Sequence, residues 1–240
     1  MNDPRSPLGS QPPYAGRPAT MGAQETVQST AFLTHAFTWM FAGLLVTAIV
    51  SAVVVSNEAL LEFASRSWFV LAFAQLGLAL FIQGALPRIS ATVALGLFFV
   101  YAATLGLTVG LIVSVYTGQS VFVAFVSASA MFGGAALYGR LTRRSLAGIG
   151  PTLIIGVWGL LVAMIVNIFL GSSPLGFAIA VVGVILFTAL TAYDVQRISV
   201  GGYVSTFGSV EKAAVFGALH LYIEFVNIFL FLLRLTGSRR

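Results

Sequence analysis

Seven acids are present in the chain, and five of them, Asp3, Glu25, Glu58, Glu62 and Glu211, fall in the tail or in polar connections. The other two, Asp194 and Glu224, stand inside long apolar runs. Glu224 sits midway along the last run, Ala213–Leu235, AAVFGALHLYIEFVNIFLFLLRL. In a helix its carboxylate is roughly 16 Å from either end. A charge at that depth in hydrocarbon is expensive unless it meets a partner or water. His220 precedes Glu224 by one helical turn and Asn227 follows it by one, so the three share a face. Asp194 lies in TAYDVQRI, near the end of the preceding run, and Arg197 at i+3 offers it a local ion pair.

If the two carboxylates meet, they cannot both ionise cheaply in a low dielectric, and the pair shares protons. Protonated, such a pair is held by a hydrogen bond. Deprotonated, it repels itself or takes up a cation. Calcium takes about six to eight oxygen ligands. Two carboxylates with Asn227, carbonyls and water would therefore make a weak calcium transit site and no tight metal site. His220 can touch Glu224 within one helix, and histidine is the residue type whose ordinary charge change falls near physiological pH, so it is a candidate member of a pH switch. The plainer reading is a buried neutral histidine with one hydrogen bond. One geometric difficulty stands. Counted from the ends of their runs, Asp194 is about 6 Å deep and Glu224 about 16 Å deep, so contact needs staggered or tilted helices.

The elements that carry these residues follow from composition. The chain is 58% hydrophobic and only 8% charged, against about 25% charged in a soluble domain. Lipid admits only helices or closed barrels, and apolar runs of about twenty residues select helices. Seven runs are read: Phe32–Val55, Trp68–Leu86, Ala91–Val115, Val121–Tyr138, Pro151–Leu170, Leu175–Ile198 and Ala213–Leu235. Pro87 and Pro174 mark short breaks, and Pro151 suits a helix start. Gly106 with Gly110, and Gly133 with Gly134, would let helices approach closely. The expected fold is an all-α membrane protein, a seven-helix bundle with the C-terminal helix central. Residues 1–28, with five prolines, read as a disordered tail, and residues 29–240 as the transmembrane domain.

The net charge of +5 reflects membrane orientation and not nucleic-acid binding. With the N-terminus in the cytoplasm, Arg5, Arg17, Arg88, Arg140, Arg143, Arg144, Arg197 and Lys212 fall inside. Arg66 alone falls in an outer loop, and seven crossings would put Arg234, Arg239 and Arg240 outside, against the rule. The last helix either crosses regardless or turns back. The absence of cysteine excludes disulfides and thiolate metal sites. No nucleophile, hydrolase or phosphate-loop motif is present, so neither an enzyme nor a resident cofactor is expected. The lone lysine, Lys212, stands at a helix end, which disfavours a retinal protein.

TAYDVQRI followed by GALHLYIEFVNIFLFLLRL resembles the closing part of the Bax-inhibitor family, the transmembrane Bax inhibitor motif proteins. HAFTWMFAGLLVTA is similar to the family's first helix, and VYTGQSVFVAFVSASAMFGGAALYG to its third-to-fourth connection and fourth helix. The chain looks most like a bacterial member in the plasma (inner) membrane. The resemblance implies a seven-helix bundle and a pH-sensitive passive calcium leak, with Asp194 and Glu224 as the pH-sensing pair. The family's LYLDFIN reads LYIEFVN at Glu224, and the acid it often carries in a segment like ELGLV is Gln75. Arg88 is the nearest candidate for the family's second-helix basic partner. Two further readings compete. One is a regulator that binds other membrane proteins, such as a protease or a cell-death factor, through its basic inner loop. The other is a proton-coupled transporter.

Overall fold

The structure, a computed structural model, describes residues 19–207 and 209–240, with side chains from residue 31 onward except at 204 and 205. In chain order the α-helices are α1 (Ala19–Ser56), α2 (Glu58–Arg66), α3 (Trp68–Ala85), α4 (Ala91–Val113), α5 (Gly118–Leu141), α6 (Gly150–Leu170), α7 (Ser173–Ser199), α8 (Val204–Phe207) and α9 (Val210–Thr236). Seven of them are long and apolar enough to cross a bilayer, and each coincides with one of the expected runs. The protein is an all-α, multi-pass membrane protein. Of the expected tail, residues 1–18 lie outside the described residues, and α1 has already begun at Ala19.

Local chemistry sets the helix ends. Asn57, Ser90, Thr117, Ser172 and Ser209 each accept a hydrogen bond from a backbone N–H in the first turn that follows, which satisfies a donor the helix itself leaves free. Pro151 stands in the first turn of α6, as expected, whereas Pro174 opens α7 and is not part of a break. The break is made by Gly171, whose φ of 58° ends α6 in the left-handed conformation. The acidic stretch before Trp68 is not a loop. It forms α2, a short amphipathic helix in which Glu62 and Arg66 pair at 2.5 Å.

The last helix is the axis of the bundle. In α9, 67% of the most apolar window is buried, against 50% in α7 and 6% in α6. It packs against α1, α4, α5 and α7, while α6 packs chiefly against α7 and leaves most of its apolar side chains exposed. Small residues make these contacts close. Gly106 and Gly110 of α4 meet Val50 and Val54 of α1. Gly133 and Gly134, expected to do the same, have open space where a Cβ would stand. The close approach of α5 to α7 is made by Gly139, against the backbone of Ala192.

A polar tie crosses the core. The Thr47 hydroxyl of α1 donates to the Ala102 carbonyl of α4 at 2.9 Å and meets the Tyr222 hydroxyl of α9 at 2.5 Å. Gln75 of α3 donates its amide to the Thr104 carbonyl and the Thr108 hydroxyl of α4, at 2.9 and 2.7 Å. An ionised acid at this position could only accept, so the neutral amide fits its surroundings.

The C-terminus settles the crossing number. Arg239 pairs with Tyr116 in an isolated antiparallel bridge, closed by Thr117 N–H to Ser238 O at 3.1 Å and Arg240 N–H to Val115 O at 3.0 Å. The end of α9 is therefore fixed to the α4–α5 connection. That connection is separated from the start of the first span by an odd number of crossings, so the last helix crosses and does not turn back.

Candidate functional site

Two helices and one connection build the site. Helices α7 and α9 run antiparallel, with Ile198 against Gly217 at one end and Gly183 against Phe231 at the other. This register puts Asp194 level with residues 220 and 221. It also resolves the difference in depth, because α9 begins seven residues before Gly217 whereas α7 ends one residue after Ile198. The overhang is roughly 9 Å, which is the stagger that contact required.

Asp194 of α7 and His220 and Glu224 of α9 come together, with one ligand-capable atom of each within 4.8 Å of the others. Asp194 and Glu224 are each 3% exposed, while the His220 side chain keeps 28% of its surface. His220 Nδ1 lies 3.1 Å from Asp194 Oδ2. The other carboxylate oxygen, Oδ1, accepts a hydrogen bond from the Tyr203 hydroxyl at 2.6 Å. Thr191, one turn before Asp194 and fully buried, is a polar neighbour of Glu224. Two buried atoms of the cluster, Glu224 Oε2 and His220 Nε2, have no hydrogen-bond partner among the described residues.

Tyr203 reaches the cluster because the chain folds back after α7. Gly201 adopts a φ of 71°, and the N–H groups of Gly201 and Gly202 return to the carbonyls of Ile198 and Arg197 at 3.0 Å each. A side chain at 201 would be strained in that conformation. The turn lays the connection over one end of the bundle, where Tyr203 and Phe207 pack on Phe216, and Phe216 packs on His220 at 4.3 Å. Burial, together with the Asp194 carboxylate, pushes the pKa of the Tyr203 hydroxyl far above the ordinary phenol range, so it remains a donor.

The other residues singled out by spacing lie elsewhere. Asn227 turns its amide to the Ile223 carbonyl at 2.8 Å within its own helix. Arg197 makes no ion pair with Asp194 among the described residues. Its guanidinium instead donates to the Tyr193 hydroxyl at 3.3 Å and stands 4.6 Å above the Tyr203 ring. It thus bears on Asp194 through Tyr203. Arg88 is exposed on the α3–α4 connection. Tyr203 was not found from sequence; an aromatic directly after a Gly-Gly pair, nine residues past a buried acid, is the signal that marks it.

The family model described as "Inhibitor of apoptosis-promoting Bax1" matches residues 29–240. The chain belongs to the Bax-inhibitor family. Among curated relatives, inner membrane protein YbhL of Escherichia coli (strain K12) is 38% identical over 215 residues, covering 87% of this chain and 92% of that one. An uncharacterized protein of Borreliella burgdorferi is 38% identical over 226 residues, covering 92% and 97%. Uncharacterized protein YrjE of Lactococcus lactis is 38% identical over 213 residues, covering 86% and 90%. The family resemblance read from the closing motifs is thereby established, and this Bax-inhibitor protein carries its buried acids on its two most buried helices.

Proposed function

We propose that this Bax-inhibitor protein is a pH-sensitive passive cation leak of the bacterial inner membrane, with calcium as the permeant ion and Asp194 and Glu224 as the gate. The observation that carries the reading is the meeting of two membrane-buried carboxylates from adjacent helices, within 4.8 Å, at a cluster with one partly open edge. Two such groups cannot both be charged in a low dielectric without a proton or a cation between them. Proton exchange at the pair therefore alters the force between α7 and α9. The described arrangement corresponds to a closed gate: Tyr203 and His220 both hold Asp194, and the aromatic connection covers the inner end. The charged and titratable groups acting on the pair are His220, Tyr203 and, behind the Tyr203 ring, Arg197. Calcium would find too few oxygens for tight binding, so it would pass and not lodge. No chemical reaction and no cofactor are part of the proposal, and the N-terminus is taken as cytoplasmic.

Purified protein in vesicles loaded with a calcium dye tests this. The expected result is flux from the protein alone, changing between about pH 6 and 8 and suppressed in Asp194→Asn and Glu224→Gln. Saturable uptake that requires a proton gradient would favour a transporter. A lack of flux with co-purifying membrane proteins would favour a regulator, for which one feature speaks. A cavity of about 600 Å³ on the inner face is lined by Arg140, Arg143, Arg144 and Arg197, and it would suit an acidic partner.

A further inference from the structure

The cluster offers a nitrogen as well as oxygens, and that changes which ion it suits. The 3.1 Å between His220 Nδ1 and Asp194 Oδ2 is a hydrogen-bond distance, and it also falls within the range that two ligands of one metal ion take. Two ligands each about 2.1 Å from a zinc ion stand roughly 3 to 3.5 Å apart at octahedral or tetrahedral angles. Glu224 supplies a third ligand atom within 4.8 Å of both. An independent feature points to a cation. Glu224 Oε2 is buried without a partner among the described residues, in a residue 3% exposed, and a buried carboxylate oxygen left unpaired is costly. Tyr203 completes the arrangement from behind. By holding Asp194 Oδ1 at 2.6 Å, it turns Oδ2 toward His220, as an outer-shell donor does for a ligating carboxylate.

We propose that Asp194, His220 and Glu224 form a binding site for a divalent transition-metal ion of the zinc class, which fastens α7 to α9. Imidazole nitrogen suits zinc and its neighbours, while calcium and magnesium prefer an all-oxygen shell. The chain has no cysteine to compete for the ion, and its only other histidine, His35, is exposed on α1. The ion enters at the His220 edge, where that side chain keeps 28% of its surface. Binding requires deprotonated ligands, so it weakens as the pH falls. Where the leak reading holds, zinc also blocks the leak. That block rests on the leak reading, but the binding does not.

Untagged full-length protein in lipid nanodiscs is titrated calorimetrically with zinc and, separately, with calcium. The expected result is one zinc per chain, bound at least about tenfold more tightly than calcium. Affinity should fall at least about tenfold in His220→Leu and in Glu224→Gln. X-ray absorption on the zinc-loaded wild type, which needs no variant to fold, should report a single imidazole in the metal shell. The proposal is overturned if the wild type binds no zinc, if the shell holds no imidazole, or if folded His220→Leu binds zinc as tightly as the wild type. Zinc binding by protein that passes no calcium supports the site and removes the leak reading instead.

Discussion

Tyr203 is the residue on which the closed cluster most visibly depends. Its hydroxyl is the partner of Asp194 Oδ1, and removing it leaves a buried carboxylate oxygen unsatisfied. Tyr203→Phe should therefore lower the thermal midpoint of the purified protein by the equivalent of about 1–3 kcal/mol. The pH dependence follows from the raised pKa. A group whose folded-state value lies above its unfolded value contributes fully below the unfolded value, about pH 10 for a phenol, and loses that contribution as the pH rises through the folded value. The gap between wild type and Tyr203→Phe should thus stay constant from neutrality to about pH 9, and a gap that closes over that range would remove the hydrogen bond from the account. His220→Leu makes a separate prediction: it should change the pH profile of calcium flux, and an unaltered profile would take His220 out of the switch. Asp194, Glu224 and His220 were legible in the sequence because ionisable residues are rare in apolar runs and their spacing fixes a face. Tyr203 was not, since its approach depends on a left-handed turn at Gly201 that brings a connection back over the bundle. Asn227 shares the face by spacing, but its amide is satisfied one turn back, at Ile223.

At the level of elements, the site depends on the register of α7 against α9 and on how closely α5 presses α7. A Cβ at Gly139 would meet the Ala192 backbone, which cannot move aside as a flexible side chain would, whereas one at Gly133 meets nothing. Gly139→Ala should cost about 1–3 kcal/mol by overpacking, while Gly133→Ala should be neutral or gain up to about 1 kcal/mol from helix propensity. Thermal unfolding of the two variants side by side checks this, and equal midpoints would contradict the packing. The helices themselves were readable from run length, and their starts from Ser, Thr and Asn caps. Which glycines face a neighbour was not readable, because the glycines of α5 that stand near its end, Gly133, Gly134 and Gly139, differ only in the rotation of the helix. The stagger of α7 and α9 was equally hidden: it follows from the folded connection between them and not from the length of either run.

The whole molecule is a bundle that crosses the bilayer seven times, with both ends of its last helix tied down. With the N-terminus cytoplasmic, as proposed, three arginines at the C-terminal end oppose the charge rule, and protein contacts hold two of them. Arg234 lies against Gly176 at the α6–α7 end, and Arg239 stands 5.9 Å from the Tyr116 ring. Counting charges alone left the last crossing open, since the deciding bridge between residues 116 and 239 joins segments far apart in sequence. The natural chain has no cysteine, so single cysteines report topology without background. In intact cells stripped of their outer membrane, Ser238→Cys should react with a membrane-impermeant maleimide and Ser145→Cys should not; labelling of both, or of neither, would contradict an odd number of crossings. Beyond topology, the account makes α7 and α9 one gate through two carboxylates acting together. The most direct test compares calcium flux in Asp194→Asn, Glu224→Gln and the double variant, reconstituted at equal protein density. If the pair is a unit, the double variant loses no more flux and no more pH response than the more affected single variant. Independent losses that multiply in the double variant, or flux and pH response unchanged in all three, would contradict it.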